Sequence, residues 1–342
     1  MSDIVIEAKQ LQCHFGDTRE RKEGEKPAKK PGVKAVDGID FRIARGEIFG
    51  LLGPNGAGKT TTLSMLVTIR KPTGGAALVA GIDVAQRPGE VRRKVGIVFQ
   101  EPSLDTLLTA RENLELHGRL YGVPPSELRA RTDEMLKLVG LESRANDQVK
   151  KFSGGMKRRL EIGRGLMHRP EILFLDEPTL GLDPATRERI CEHIRELRDT
   201  RGTTVVLTTH YMEEADSLCD RVAIIDHGKI VALDTPAALK KQLGGDLVTL
   251  TGVTADARKQ IEALSFVKKV EEKGPALLLT VENAGMNLPR IVALAGDVKN
   301  IEVRTARLED VFLSLTGRGL RDETEAGEDY FDQYVRTQAG GE

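Results

Sequence analysis

The sequence contains no apolar run approaching the roughly 20 residues needed to cross a bilayer. If the protein acts at a membrane, another chain must supply the spanning part. It also lacks a charge excess: 51 Lys and Arg stand against 52 Asp and Glu, a net charge of −1. No overall basic field argues for nucleic acid as a partner. Cysteine is scarce. Cys13, Cys191 and Cys219 lie far apart without metal-ligand spacing, which argues against a zinc site or a disulfide framework and for reduced intracellular thiols. Met1-Ser2-Asp3-Ile4-Val5 shows no charged-then-apolar signal pattern, so the expectation is a soluble intracellular protein. What is there is length. The 342 residues can bury a substantial core and fit two domains.

The chain is organised around Gly53-Pro54-Asn55-Gly56-Ala57-Gly58-Lys59-Thr60, a G-x-x-x-x-G-K-[ST] phosphate-binding loop. An apolar run, Ile48 to Leu52, precedes it as a short buried strand, and Thr61 to Leu66 can continue as a helix. That strand–loop–helix context separates the motif from a chance Gly-rich turn. Backbone N–H groups of the loop would curl around phosphate oxygens, helped by the helix N-terminus. Lys59 would reach the β- and γ-phosphates and Thr60 would hold Mg²⁺.

Residues 4–16 alternate, with Ile4, Ile6 and Ala8 followed by Leu11, Cys13 and Phe15, which suggests two short antiparallel strands. Phe15 stands where an aromatic could stack on a base, although a core or edge-strand residue is the simpler reading of it alone. Residues 17–32 form a charged insert of mixed sign, expected as a mobile surface loop. Strands resume at Ala35-Val36 and Ile39 to Ile43, turn at Arg45-Gly46, and recur at Ala77, Val79 and Ile82. Val95 to Phe99 is a buried strand ending at Gln100. Residues about 101–168 change to helices. One opens at a capping box, Thr109 to Glu112. Another opens at Pro125 and carries Leu128, Met135, Leu136 and Val139 on one face.

Ile172 to Leu175 returns to strand and ends in Asp176-Glu177. An apolar strand ending in an acid is the Walker-B pattern. Asp176 would bind the metal through its water shell, and Glu177 would orient or deprotonate the attacking water. Alone, two acids at a strand end are most simply solvated; the phosphate loop upstream favours the catalytic reading. A charged helix follows Gly181-Leu182-Asp183-Pro184. The strand Thr203 to Thr209 ends at His210, at the edge where ligands lie in an open α/β sheet, so a γ-phosphate contact is the better reading of this histidine. A hairpin-like pair, Arg221 to Ile225 and Lys229 to Ala232, closes the first domain near residue 240.

The order of phosphate loop, Gln100, Ser153-Gly154-Gly155, Asp176-Glu177, Asp183 and His210 resembles that of ATP-binding subunits of ABC transporters. Phe152 to Leu160 looks like the ABC signature, which other phosphate-loop families lack. The resemblance covers residues 4–240. It implies an α/β cassette of an antiparallel β subdomain, a RecA-like core and a helical subdomain. It implies an Mg²⁺-dependent ATPase that dimerises with itself or a related subunit, sandwiching two ATP molecules. Ser153 caps a helix whose N-terminus is an anion site. By resemblance Ser153, Gly154 and Gly155 engage the γ-phosphate held by the other subunit, and Asp183 lies between the two sites. Gln100 would contact Mg²⁺ or water, Phe15 would stack on adenine, and Gly53 to Thr61 would bind the phosphates. His210 and Lys59 would stabilise the transferred group beside Glu177. Met156 departs from the commoner Gln of the signature. The Gly-Met version resembles the daunorubicin-resistance exporter branch, which implies integral membrane permease partners, a peripheral location on the cytoplasmic face, and no nucleic acid.

Residues 246–317 show the order β-α-β-β-α-β of a split βαβ, ferredoxin-like α+β module, with Leu288 to Ala295 as the second helix. A terminal amphipathic helix would present Leu308, Val311, Phe312 and Leu315 on one face. Residues 318–342 are acidic and expected to be poorly ordered; Tyr330, Phe331 and Tyr334 in that tail could dock somewhere else. Two other classes stay open. A soluble ABC ATPase acting on nucleic acid or ribosomes usually carries two cassettes, zinc or coiled-coil insertions, none of which is seen. A phosphate-loop kinase or non-hydrolysing regulator is opposed by the signature and by Asp176-Glu177.

Overall fold

The computed structural model describes residues 3–16, 32–101, 103–274, 276–296 and 298–317. Most of the charged insert and the acidic tail, with Tyr330, Phe331 and Tyr334, therefore lie outside the described residues. The chain divides into two compact units after Leu233, ahead of the expected position near residue 240.

In chain order the first unit comprises β1 (Ile4–Phe15), β2 (Val33–Ala44), β3 (Ile48–Leu52), α1 (Lys59–Leu66), β4 (Gly74–Val79), β5 (Ile82–Asp83), α2 (Pro88–Lys94), β6 (Val95–Val98), α3 (Ala110–Leu120), α4 (Pro125–Leu138), α5 (Gly154–Gly165), β7 (Ile172–Asp176), α6 (Pro184–Arg201), β8 (Thr204–Thr209), α7 (Met212–Leu218), β9 (Arg221–Asp226) and β10 (Lys229–Asp234). Strands β2, β1, β4 and β5 form an antiparallel sheet in that order. Six strands form the second sheet in the order β10-β9-β3-β8-β7-β6. Every residue of β3, β7 and β8 is buried, as expected of strands covered on both faces in a parallel sheet.

Residues 4–15 make one strand, not two. Ile6 and Ala8 are buried before Gln10, and Leu11 and Cys13 after it, so the inward parity changes from even to odd. One extra residue absorbs the change: Ala8 pairs with Phe41 and Leu11 with Ile39. Gln10 takes a left-handed φ of 46°, and its N–H donates to Asp40 Oδ1 at 2.8 Å. This is a β-bulge, which lets a strand change phase without ending.

Parallel pairing puts the functional ends on one edge. β3 lies between β8 and β9, with Leu52 opposite Thr209; β7 lies beside β8, with Asp176 opposite Thr208. The phosphate loop, Asp176-Glu177 and His210 thus emerge together from the carboxyl ends of adjacent strands. Phe41 and Phe49 stack at 5.6 Å between ring centroids, within a core that joins the two sheets. In the helical region the Thr109–Glu112 capping box is present, and Leu128, Met135, Leu136 and Val139 are buried.

The second unit comprises α8 (Pro236–Lys241), β11 (Asp246–Thr251), α9 (Ala255–Glu262), β12 (Val267–Lys273), β13 (Ala276–Val281), α10 (Ala284–Ala295), β14 (Asn300–Arg304) and α11 (Leu308–Thr316). Its antiparallel sheet runs β12-β13-β11-β14, the split βαβ arrangement. Val248, Leu250, Leu279, Ile261 and Ile291 share its core. Helix α10 begins four residues before Leu288, because Asp246 Oδ2 accepts from Ala284 N at 3.1 Å and satisfies one of the first N–H groups. Leu308, Val311 and Phe312 of α11 are buried, whereas Leu315 is exposed, so the apolar face is shorter than expected. Helix α8 packs on α11 and so counts with this unit.

Candidate active site

The phosphate loop is fixed by close backbone approach. A Cβ on Gly53 would stand 2.2 Å from Ile225 O, so no side chain fits there. Gly58 has φ +106°, and its Cβ would meet Ala35 O at 2.3 Å; glycine alone satisfies both demands. Lys59 is only 4% exposed. Its Nζ donates to Gly53 O at 2.8 Å and Pro54 O at 3.0 Å and lies 3.6 Å from Glu177 Oε1. Burial pulls the ammonium pKa down, with Glu177 and Asp176 opposing.

Asp176 and Glu177 do separate jobs because they point to different neighbours. Asp176 Oδ1 accepts from Thr60 Oγ1 at 3.0 Å and from Thr208 Oγ1 at 2.5 Å. Thr208 Oγ1 in turn accepts from Glu177 N at 3.0 Å. The backbone of Glu177 is left-handed at φ 44°, uncommon for a residue with a side chain. Its Oε1 lies 3.2 Å from His210 Nδ1. Burial pushes the Glu177 carboxyl up, but His210 and Lys59 outweigh it, and the net position is below the usual carboxylate range. The group is thus ionised although buried, as a base at this site needs to be. Thr60 and Asp176 offer hard oxygen donors within 3.0 Å of one another, a donor set that suits magnesium.

Of the other expected site residues, Pro54 joins this cluster through its carbonyl. The Phe15 ring is covered by the Arg70 guanidinium at 4.4 Å. Gln100 is exposed beyond the end of β6 and makes no hydrogen bond to Thr60 or Asp176. Pro54, Ala57 and Gly58 are buried, Thr61 is half-buried, and Asn55 and Gly56 are exposed. Ser153 caps α5, its Oγ accepting from Met156 N at 3.3 Å. Gly154 is exposed while Gly155 is buried. Asp183 caps α6, accepting from Thr186 N at 3.0 Å. A Cβ on Gly155 would stand 2.4 Å from Thr186 Cγ2. Gly155→Ala should therefore push α5 from α6 and cost about 1–3 kcal/mol, read as a lower urea midpoint; an unchanged midpoint would show that Thr186 simply rotates away.

Three participants had not been foreseen. Thr208 bridges the two acids. Glu214 is buried and accepts from Thr209 Oγ1 at 2.6 Å and Thr179 Oγ1 at 3.2 Å. Burial pushes its carboxyl up, against the hydrogen bonds from those threonines. It ties the segment after Glu177 to the loop that bears His210. Arg158 reaches the backbone on both sides of Glu177 from helix α5. A periodicity signal existed for Arg158: it lies on the stripe Gly155, Arg158, Ile162, Gly165, all buried.

Fold and geometry together define a phosphate-loop nucleotide hydrolase: a buried lysine in the loop, a hydroxyl and a carboxylate placed for a metal, and an ionised glutamate beside a histidine. Comparison with known proteins narrows the class. The sequence profile of the ABC transporter family matches residues 36–180, and a profile described as an AAA domain, putative AbiEii toxin, type IV TA system, matches residues 151–216. The linearmycin resistance ATP-binding protein of Bacillus subtilis is 42% identical over 296 residues, covering 84% of this chain and 95% of that one. The Nod factor export ATP-binding protein I of Paraburkholderia xenovorans is 43% identical over 302 residues, covering 88% and 98%. The daunorubicin/doxorubicin resistance ATP-binding protein of Streptomyces peucetius is 39% identical over 299 residues, covering 85% and 90%. A dimeric ATP-binding cassette solved with ADP and Pi superposes with a TM-score of 0.58 at 30% identity, over 67% of this chain and 98% of that chain. A component of an ABC transporter complex from Clostridium perfringens superposes with a TM-score of 0.61 at 28% identity, over 71% and 94%. The chain belongs to the ATP-binding subunits of ABC transporters, and it is an ATPase.

Proposed function

We propose that this chain is the energy-supplying subunit of a membrane exporter for a drug, an antibiotic or another hydrophobic compound. Its nearness to antibiotic-resistance and export ATPases supports that reading, and none of its described helices is long and apolar enough to cross a membrane. Integral permease subunits would complete the transporter, with this chain peripheral on the cytoplasmic face. The domain reading that goes with it is a cassette, a helical subdomain and a C-terminal accessory module.

In this reading Gly53 to Thr61 cradle the ATP phosphates, Thr60 and Asp176 hold Mg²⁺, and Phe15 stacks on the adenine. The metal would neutralise charge on the phosphoryl oxygens. Glu177 takes the proton of the attacking water, while Lys59 and His210 face the charge that develops on the transferred group. The contact of Glu177 Oε1 with both Lys59 and His210 carries this assignment. Ser153, Gly154 and Gly155 of a second subunit would close on the γ-phosphate, with Asp183 between the two sites and Gln100 reporting nucleotide state to the permease. The dimeric cassettes among the structural relatives support the sandwich. Detergent extraction of membranes after in-cell cross-linking should recover the chain with a polytopic membrane protein. Recovery with RNA or ribosomes and with no membrane chain would replace the exporter reading.

A further inference from the structure

Arg158 is 6% exposed on α5, five residues after the Ser153 cap. Its guanidinium donates to three main-chain carbonyls. Nε reaches Pro178 O at 2.7 Å, Nη2 reaches Asp176 O at 2.7 Å, and Nη1 reaches Phe99 O. Glu161, fully buried one turn later, supplies the counter-charge at 3.4 Å. Glu161 Oε1 accepts from Ser103 N at 2.7 Å. One planar fork thus joins three segments: the helix capped by Ser153, the end of β6 before Gln100, and the end of β7 with Asp176 and Glu177. Two of the three carbonyls flank Glu177, the residue with the left-handed backbone.

A buried ion pair is weak evidence for stability, because well-packed apolar groups of similar volume often serve as well. Bonding to three carbonyls of chemically important segments asks for another reason. We propose that Arg158 is a positioning residue for ATP hydrolysis: it locks the main chain on both sides of Glu177 to the helix that starts at Ser153. Movement of that helix is then felt at the base and at the segment before Gln100. The inference rests on Glu177 acting as the base. It does not require Arg158 to touch nucleotide.

The guanidinium geometry is the testable part. Lysine keeps the charge opposite Glu161, but a single ammonium lacks the planar fork that spans three diverging carbonyls. Arg158→Lys in the full-length chain should lower kcat about 10- to 100-fold, the scale of a misplaced reacting group, with KM for ATP within about twofold because ATP-binding residues are untouched. The double variant Arg158→Met/Glu161→Met removes both charges and keeps the volume. It should fold and bind ATP with normal affinity yet stay slow. If either folded variant turned over at the wild-type rate, or lost kcat only in proportion to its folded fraction, Arg158 would be structural and the proposal would fail. Glu177→Gln separates the two readings. Normal turnover in that variant would remove the base assignment, whereas a kcat-only loss in Arg158→Lys would still identify a positioning role for this helix.

Discussion

Glu177→Gln should lower ATP turnover by about 10²–10⁴-fold, the usual contribution of a positioned general base, and leave nucleotide binding intact. The amide keeps the shape of the side chain and loses its basicity. Lys59 and His210, at 3.6 and 3.2 Å from Glu177 Oε1, would no longer face a carboxylate there, so the lysine is freer to meet a triphosphate. Dimers should therefore accumulate with ATP in size-exclusion chromatography. Normal phosphate release would overturn the assignment. The pH dependence has a definite sign. Burial raises the Glu177 pKa, the contacts with His210 and Lys59 outweigh that, and the net position lies below the usual carboxylate range. Activity that needs the ionised base is thus fully present at neutral pH and is lost only as pH falls through that depressed value. The same carboxylate contributes stability above its unfolded pKa that disappears on acidification through the folded one. Removing Lys59 or His210 should move the acid limb upward.

Lys59→Ala should act on a different constant. Its Nζ is held by two loop carbonyls, Gly53 O and Pro54 O, which aim it along the loop it would close around phosphate. Hydrogen bonds to charged groups contribute about 1.5–3 kcal/mol, so ATP affinity should fall roughly 10- to 100-fold. Titration with a fluorescent ATP analogue measures this directly. An unchanged Kd would mean that the ammonium serves only as a counter-ion to Glu177. The two variants divide the site: loss of Lys59 is felt in binding, and loss of Glu177 in the chemical step.

The parts legible in the sequence are those encoded locally. A phosphate loop needs only a strand before it, a helix after it and glycines between, all within about twenty residues of chain. Buried parallel strands announce themselves as apolar and β-branched runs, and Asp176 and His210 were placed by being the first polar residues beyond such runs. The parts missed depend on neighbours distant in sequence. Arg158 sits in the run Lys157-Arg158-Arg159, which reads as a solvated face; its helical spacing from Gly155 and Ile162 is the one local hint, and burial against Asp176 and Pro178 gives it its role. Thr208 looks like one more β-branched strand residue until the register with β7 sets it opposite Asp176. The bulge at Gln10 was hidden because a change of inward parity reads equally well as a strand end. Leu315 fits an apolar stripe on α11 yet faces solvent, since amphipathic spacing does not say how far a neighbouring surface extends.

The Thr208 hydroxyl has one proton, given to Asp176, and a lone pair that takes the Glu177 amide hydrogen. Valine, its isostere, would preserve the packing of β8 while leaving the buried Glu177 N–H without its acceptor, at a cost of about 1–3 kcal/mol, and would leave Asp176 Oδ1 only its bond from Thr60. Serine is the one exchange that keeps the bridge. Evolutionary drift at this position is therefore confined by polarity, as at the hydrogen-bonded Thr204 and Thr209 of the same strand, whereas Val205, Val206 and Leu207 between them are constrained chiefly by volume.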